Sequence, residues 1–279
     1  MRALISFVSI LAALCCNAPQ SRAAATVYEG FDYPAGANAL ASKNGGIGWN
    51  NPWDTGLSDI VAGGFNYTDG LGNQLVTVGN RAAADQNSAG NLRFLSNTFS
   101  SGTVYLSFLL QCTNSASNFN YAGLSLYSGV AEEIFFGDIN APPNGTLGIE
   151  RLGFENGFLI GTDASLLNLI VVRIDFNAGT TAGNEKVSIF VDPSLDAEPA
   201  TAFRFTDVAD FSFDRIRIQS GRTSGADPLE IGQFDEIRVG STYADVTPHT
   251  VPEPGACGLA ALAGLMLWGR RPGKGTIPA

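Results

Sequence analysis

The sequence predicts an all-β fold: one antiparallel β-sandwich, flanked by an N-terminal signal peptide and a short apolar C-terminal helix. Three observations predict it. Short runs rich in Val, Ile, Phe and Tyr alternate with a period of two, as half-buried strands do. Turn dipeptides separate them, among them Asn144-Gly145, Asn156-Gly157, Ala178-Gly179 and Gly183-Asn184. No long stretch carries a helical period.

The elements follow in chain order. Met1-Arg2 supplies one positive charge, and residues 3–16 are apolar. That run has the length of a signal-peptide core and is too short to span a bilayer well. A polar stretch, 17–22, leads to Ala23, Ala24 and Ala25, small residues that suit a signal-peptidase pocket. Residues 1–25 are therefore read as a signal peptide cut after Ala25. A lipoprotein signal at Cys15 or Cys16 is disfavoured, because Leu14 stands where a small residue is needed.

Residues 26–247 form the domain. Strands are expected at 104–112, 121–127, 133–136, 145–152, 169–176, 186–192, 214–219 and 231–239. Val187, Ile189 and Val191 share one face of their strand. Ile216 and Ile218 face one way while Arg215 and Arg217 face the other. This many antiparallel strands implies two packed sheets.

Residues 248–279 hold a linker and a second membrane signal. Val251, Pro252, Glu253 and Pro254 precede an uncharged run, 255–269, and Arg270 and Arg271 follow at once in a basic tail, 270–279. Basic residues directly after an apolar segment hold that end in the cytoplasm, and Trp268 suits the headgroup layer. The run is short for a spanning helix but can insert at a modest mismatch cost.

Charge narrows the function classes. Of the 26 acidic and 16 basic residues, 25 and 11 fall within 26–250, a net charge of about −14. Nucleic acid is disfavoured as a partner, since it needs a basic face. Cys112 is the single cysteine of the domain and is read as a small buried hydrophobe. With one histidine, His249, in the linker, a Cys/His zinc site and a Ser or Cys triad have no partners. Glu132 and Glu133 alternate across a strand, as do Asp235 and Glu236, and no acid lies between Glu150 and Glu155. No catalytic residue is assigned, and the chain is read as a non-enzyme.

The C-terminal triplet, apolar span and arginine pair resemble the PEP-CTERM sorting signal over about the last 25 residues. The resemblance implies that Pro252, Glu253 and Pro254 are recognised by an exosortase, a membrane-embedded transpeptidase, with Arg270 and Arg271 as the stop-transfer cluster. It implies a Gram-negative bacterium that makes exopolysaccharide. The precursor is then anchored in the inner membrane after signal peptidase cleavage, and the product goes to the cell surface or extracellular matrix.

The opening, Tyr28-Glu29-Gly30-Phe31-Asp32-Tyr33-Pro34 with Trp49 and Trp53 after it, resembles the start of concanavalin A-like (LamG-like) jelly rolls in such proteins. The close, 234–246, resembles their end. This implies that the first and last strands pair, and that Glu29, Asp32 and Asp235 could hold a structural Ca²⁺ where they meet, hard oxygen ligands suiting an acidic chain. Trp49 and Trp53 flank Asn50-Asn51-Pro52, a loop that with Asn66 and Tyr67 could stack on sugar rings. The leading expectation is a surface protein that binds extracellular polysaccharide. A structural coat without ligand and a secreted glycan-active hydrolase are the alternatives.

Overall fold

The computed structural model describes residues 25–85, 90–113, 120–139, 143, 145–151, 158–222 and 229–251. The expected signal peptide, the sorting motif Pro252, Glu253 and Pro254, the apolar span and Arg270 and Arg271 lie outside the described residues. Among the described residues no helix is long and apolar enough to cross a membrane.

The strands are β1 (Val27–Glu29), β2 (Asp59–Val61), β3 (Gln74–Leu75), β4 (Arg81–Ala84), β5 (Asn91–Phe99), β6 (Thr103–Thr113), β7 (Asn120–Ser128) and β8 (Ala131–Asp138). They continue with β9 (Thr146–Arg151), β10 (Phe158–Asp163), β11 (Asn168–Asp175), β12 (Glu185–Val191), β13 (Phe203–Val208), β14 (Phe213–Arg222), β15 (Ile231–Gly240) and β16 (His249–Thr250). One helical turn, α1 (Tyr243–Val246), follows β15. All eight expected strands are present, within a few residues at each end.

Two antiparallel sheets pack face to face. The eight-stranded sheet runs β13-β12-β11-β6-β15-β4-β2, with β1 also on β15. The six-stranded sheet runs β10-β9-β8-β7-β14-β5. The expected pairing of first and last strands is seen in the register Val27↔Val239 and Glu29↔Ile237. Between the sheets lies one apolar core, to which Leu106, Phe108, Leu110, Leu124, Leu126, Phe136, Val172, Ile189, Ile216 and Ile218 contribute.

The eight-stranded sheet is covered on its outer face as well. Tyr105, Leu109, Leu169 and Val171 point away from the main core and pack beneath Tyr67, Leu75, Leu195, Tyr243 and Val246. β6 is thus buried on both faces, which explains its nearly unbroken apolar run; a sheet covered on both sides loses its polar alternation. The cover is pinned by the Thr242 cap, whose hydroxyl accepts from the Asp245 amide at 3.3 Å while Asp245 accepts from the Thr242 amide at 2.8 Å. The outer face of the six-stranded sheet carries a different set of side chains, and it is there that polar and aromatic groups collect.

Candidate site on the outer face of the six-stranded sheet

The register fixes which residues share that face. On β7 the core takes Ala122, Leu124 and Leu126, so Tyr121, Ser125 and Tyr127 point outward. Across the ladder Tyr121 stands opposite Gly221, Ser125 opposite Arg217 and Tyr127 opposite Arg215 on β14. On the other side Ser125 faces Phe135 and Tyr127 faces Glu132 of β8, and Phe135 in turn faces Glu150 of β9. A bulge between Leu126 and Tyr127 brings Glu132 onto the outer face.

These side chains bond to one another. The Gln219 amide donates to Ser125 Oγ at 3.1 Å and to Glu132 Oε1 at 3.0 Å. The Ser125 hydroxyl also donates to Glu132 Oε1. Arg217 Nη1 donates to the Tyr127 hydroxyl at 3.1 Å. Tyr121 and Phe135 meet edge to face at 6.1 Å. At the β5 margin, Arg215 lies 4.1 Å over the Phe94 ring and pairs with Asp214 at 2.7 Å.

A glycine lies beneath each ring. A Cβ on Gly221 would fall 2.3 Å from the Tyr121 hydroxyl, and one on Gly123 would fall 2.6 Å from Phe135 Cζ. The aromatic rings therefore lie over bare backbone. Glu150 is exposed at its edge of the face, and partial desolvation by its neighbours, then the Glu132 charge, raise its carboxyl above the usual carboxylate range. Burial likewise raises the Tyr127 phenol, against the Arg217 hydrogen bond. Tyr121, Tyr127, Arg217 and Glu132 are half-buried here, and Ser125, Gln219 and Phe135 lie buried beneath them. A carboxylate, a guanidinium and phenol rings are groups that hold a polyhydroxylated ligand.

The residues singled out from sequence sit elsewhere. Glu29 is 1 % exposed and accepts from Phe31 N at 2.9 Å, the Tyr33 hydroxyl at 2.8 Å, Trp53 Nε1 at 3.0 Å and Arg93 at 2.5 Å. Asp235 is fully buried and takes the amides of Phe65 and Glu236, each at 2.8 Å. Asp32 is exposed. Among the described residues no three His, Cys, Asp or Glu side chains are grouped to hold a metal ion, so these three do not assemble into one site.

The expected sugar platform is divided in the same way. Trp53 is 1 % exposed, and Trp49 is half-buried against it at 5.6 Å, its Nε1 donating to the Tyr28 carbonyl at 3.0 Å. Both rings lie near the Arg93 guanidinium, at 4.8 and 5.8 Å. Tyr67 is buried in the outer cover of the other sheet, and Asn66 beside it is exposed. Trp53 and Tyr67 thus offer no ring face to solvent.

His249 Nδ1 lies 3.0 Å from the Thr247 carbonyl oxygen, to which it can only donate, and its Nε2 lies 2.9 Å from Asp196 Oδ1, far along the chain from the outer-face strands. Cys112 is a free, buried thiol. The outer-face residues carried one sequence signal: Arg215 and Arg217 alternate with Ile216 and Ile218. Nothing in the sequence said which strands would flank them.

No family model matches the chain, and no curated protein does. Solved structures do resemble it. An endo-β-1,4-glucuronan lyase from Trichoderma reesei is 13 % identical, with 80 % of this chain and 98 % of that chain covered at a TM-score of 0.42. The receptor-binding domain of a botulinum neurotoxin mosaic serotype C/D is 10 % identical over 81 % of this chain, at a TM-score of 0.44. This chain spans about half, 50 %, of that toxin domain. The metal-free Emp46p carbohydrate recognition domain is 8 % identical over 61 % of this chain and 86 % of that one, at a TM-score of 0.38. These TM-scores all lie below 0.5, so nothing about this chain's ligands follows from them.

Proposed function

We propose that this chain is an exported, exosortase-sorted cell-surface or matrix protein whose β-sandwich binds polysaccharide without chemical turnover. The binding face is the outer face of the six-stranded sheet. The supporting observation is the Gln219–Ser125–Glu132 hydrogen-bond network set between Tyr121, Phe135 and Tyr127. Sugars present hydroxyls in their ring plane and C–H groups on their faces. The half-buried Tyr121 and Tyr127 rings, the Arg217 guanidinium and the Glu132 carboxylate, which the buried Gln219 and Ser125 hold in place, meet both. The acidic balance of 25 against 11 charged residues between the two end segments favours a neutral glycan over a polyanion.

The test is a glycan array probed with the full chain, with and without EDTA. Binding to one polysaccharide class that survives EDTA supports a metal-independent lectin-like role. Absence of binding to any glycan supports a structural coat.

One observation favours a second reading, a glycan-active enzyme. Glu132 and Glu150 share the face, and Glu150 is raised in part by the Glu132 charge, an unequal pair of the kind glycoside hydrolysis uses. Release of reducing ends from any array hit, lost in Glu150→Gln, would replace the binding role with catalysis.

A further inference from the structure

The two sheets meet at one end of the sandwich through a pair of buried acids. Asp138 closes β8 in the six-stranded sheet, opposite the core-facing Ala122, and is 2 % exposed. Glu230 stands just before β15 in the eight-stranded sheet and is fully buried. Cys112 of β6 lies beside both: its partner across the ladder is Gly232, close after Glu230, and its Sγ is 3.9 Å from the carbonyl of Ala122, which pairs with Asp138.

The charge inventory of this place is one-sided. Asp138 accepts from the Gly145 and Thr146 backbone amides and faces Glu230 and, at longer range, Asp163 of β10. Glu230 faces the Asp138 carboxyl and the Cys112 thiol. Among the described residues no amide or cationic side chain donates to either Glu230 oxygen. Among the described residues neither acid forms an ion pair with a Lys or Arg. Two carboxylates side by side in a low-dielectric interior cannot both stay ionised without a counter-charge.

We propose that Asp138 and Glu230 share one proton, and that this carboxyl–carboxylate bond latches the two sheets together at this end. The proton resides on Glu230 and is donated to Asp138, because the two backbone amides stabilise negative charge on Asp138. Burial pushes both carboxyls above the usual range; Asp138 raises Glu230 further, while the hydrogen bond from Glu230 lowers Asp138, as one proton held between two acids requires. The sign follows from linkage. The folded chain holds a proton that the unfolded chain releases above about pH 4.3. The latch's contribution is therefore full below that pH and is lost as pH rises and the shared proton leaves. Repulsion then acts between the sheet ends. A Ca²⁺ ion, which takes 6–8 oxygen ligands, is poorly served by two carboxylates.

The test is urea unfolding of the full chain between about pH 5 and pH 9, for wild type and Glu230→Gln, with and without added Ca²⁺. The amide introduced by that substitution would keep a donor toward Asp138 but carries no titrating proton. The expected result is a wild-type unfolding constant that rises by up to about tenfold per pH unit for the one proton held. Glu230→Gln should show a shallower slope and exceed wild type in midpoint at the alkaline end. Titration of other groups, Asp235 among them, is common to both proteins and cancels in the difference.

Equal slopes in the two proteins overturn the proposal. So does full rescue of wild type by Ca²⁺ at alkaline pH, which would make a cation the bridge. If Glu230→Gln fails to fold, hydrogen exchange of the Gly145 and Thr146 amides in wild type decides. Their protection, relative to the mid-core Val172 amide, should fall as pH rises, and constant relative protection overturns the latch.

Discussion

Glu29 shows how one side chain can organise an end of this domain. Its carboxylate gathers the Phe31 amide, the Tyr33 hydroxyl, the Trp53 indole and the Arg93 guanidinium, all within a region closed to solvent. Replacing Glu29 with Ala would leave the Arg93 charge buried and unpaired. The expected cost is about 3–5 kcal/mol, read as a lower urea midpoint. On the outer face, two glycines separate binding from stability. In Gly221→Ala the new methyl meets the far end of the Tyr121 side chain, which can swing away. Glycan affinity should drop while stability changes by less than about 1 kcal/mol. In Gly123→Ala the methyl would fall 2.2 Å from the Phe136 carbonyl oxygen, which is backbone and cannot move aside. Its stability loss should be about 1–3 kcal/mol, and unfolding curves of the two variants side by side check the contrast.

Among the elements, the cap of α1 makes a clean test of the cover over the eight-stranded sheet. Thr242→Ala removes the hydroxyl that receives the Asp245 amide and should cost about 1 kcal/mol, again by denaturant midpoint. The strands legible in the sequence were those whose period of two matched their burial. Ile216 and Ile218 inward with Arg215 and Arg217 outward on β14 is such a case, as is Val187 and Ile189 on β12. β1, β2 and β3 are two or three residues long, too short to show a period. β13 is mostly exposed at a sheet edge, so its alternation carries no burial signal. The candidate site was hidden for another reason. It needs Ser125 of β7, Glu132 of β8 and Gln219 of β14 side by side, and strand order is set by tertiary pairing that one sequence does not encode locally. The Trp pair was conspicuous as a sequence feature, but Trp53 is drawn inward by its bond to Glu29, a residue that reads locally as a free acid. The bulge at Glu236 was equally silent. This non-glycine residue adopts a φ of 56° and, by doing so, aims its carboxylate at Tyr28, Val78 and Arg238.

For the molecule as a whole, buried acids dominate the response to pH. Burial first, then the Glu236 charge, push the Asp235 carboxyl up to about 8. Its folded form holds a proton that the unfolded chain, at about 3.9, does not. That contribution is complete below about pH 4 and is lost as pH rises through 8, the same direction as the Asp138–Glu230 pair. The full chain should therefore unfold at lower urea near pH 9 than near pH 5, and Asp235→Asn should flatten part of that fall. The asymmetry of the sandwich carries the functional account: one sheet is covered on its outside by a second small core, while on the other Tyr121, Tyr127, Arg217 and Glu132 are half-buried over the buried Gln219, Ser125 and Phe135. The affinity of the full chain for its strongest polysaccharide on the array, measured for wild type and for Gln219→Ala, tests this most directly. Wild type should bind, and the variant should weaken by about tenfold or more, having lost both hydrogen bonds that hold Ser125 and Glu132 in place. Equal affinity of the two proteins for that polysaccharide would contradict the account.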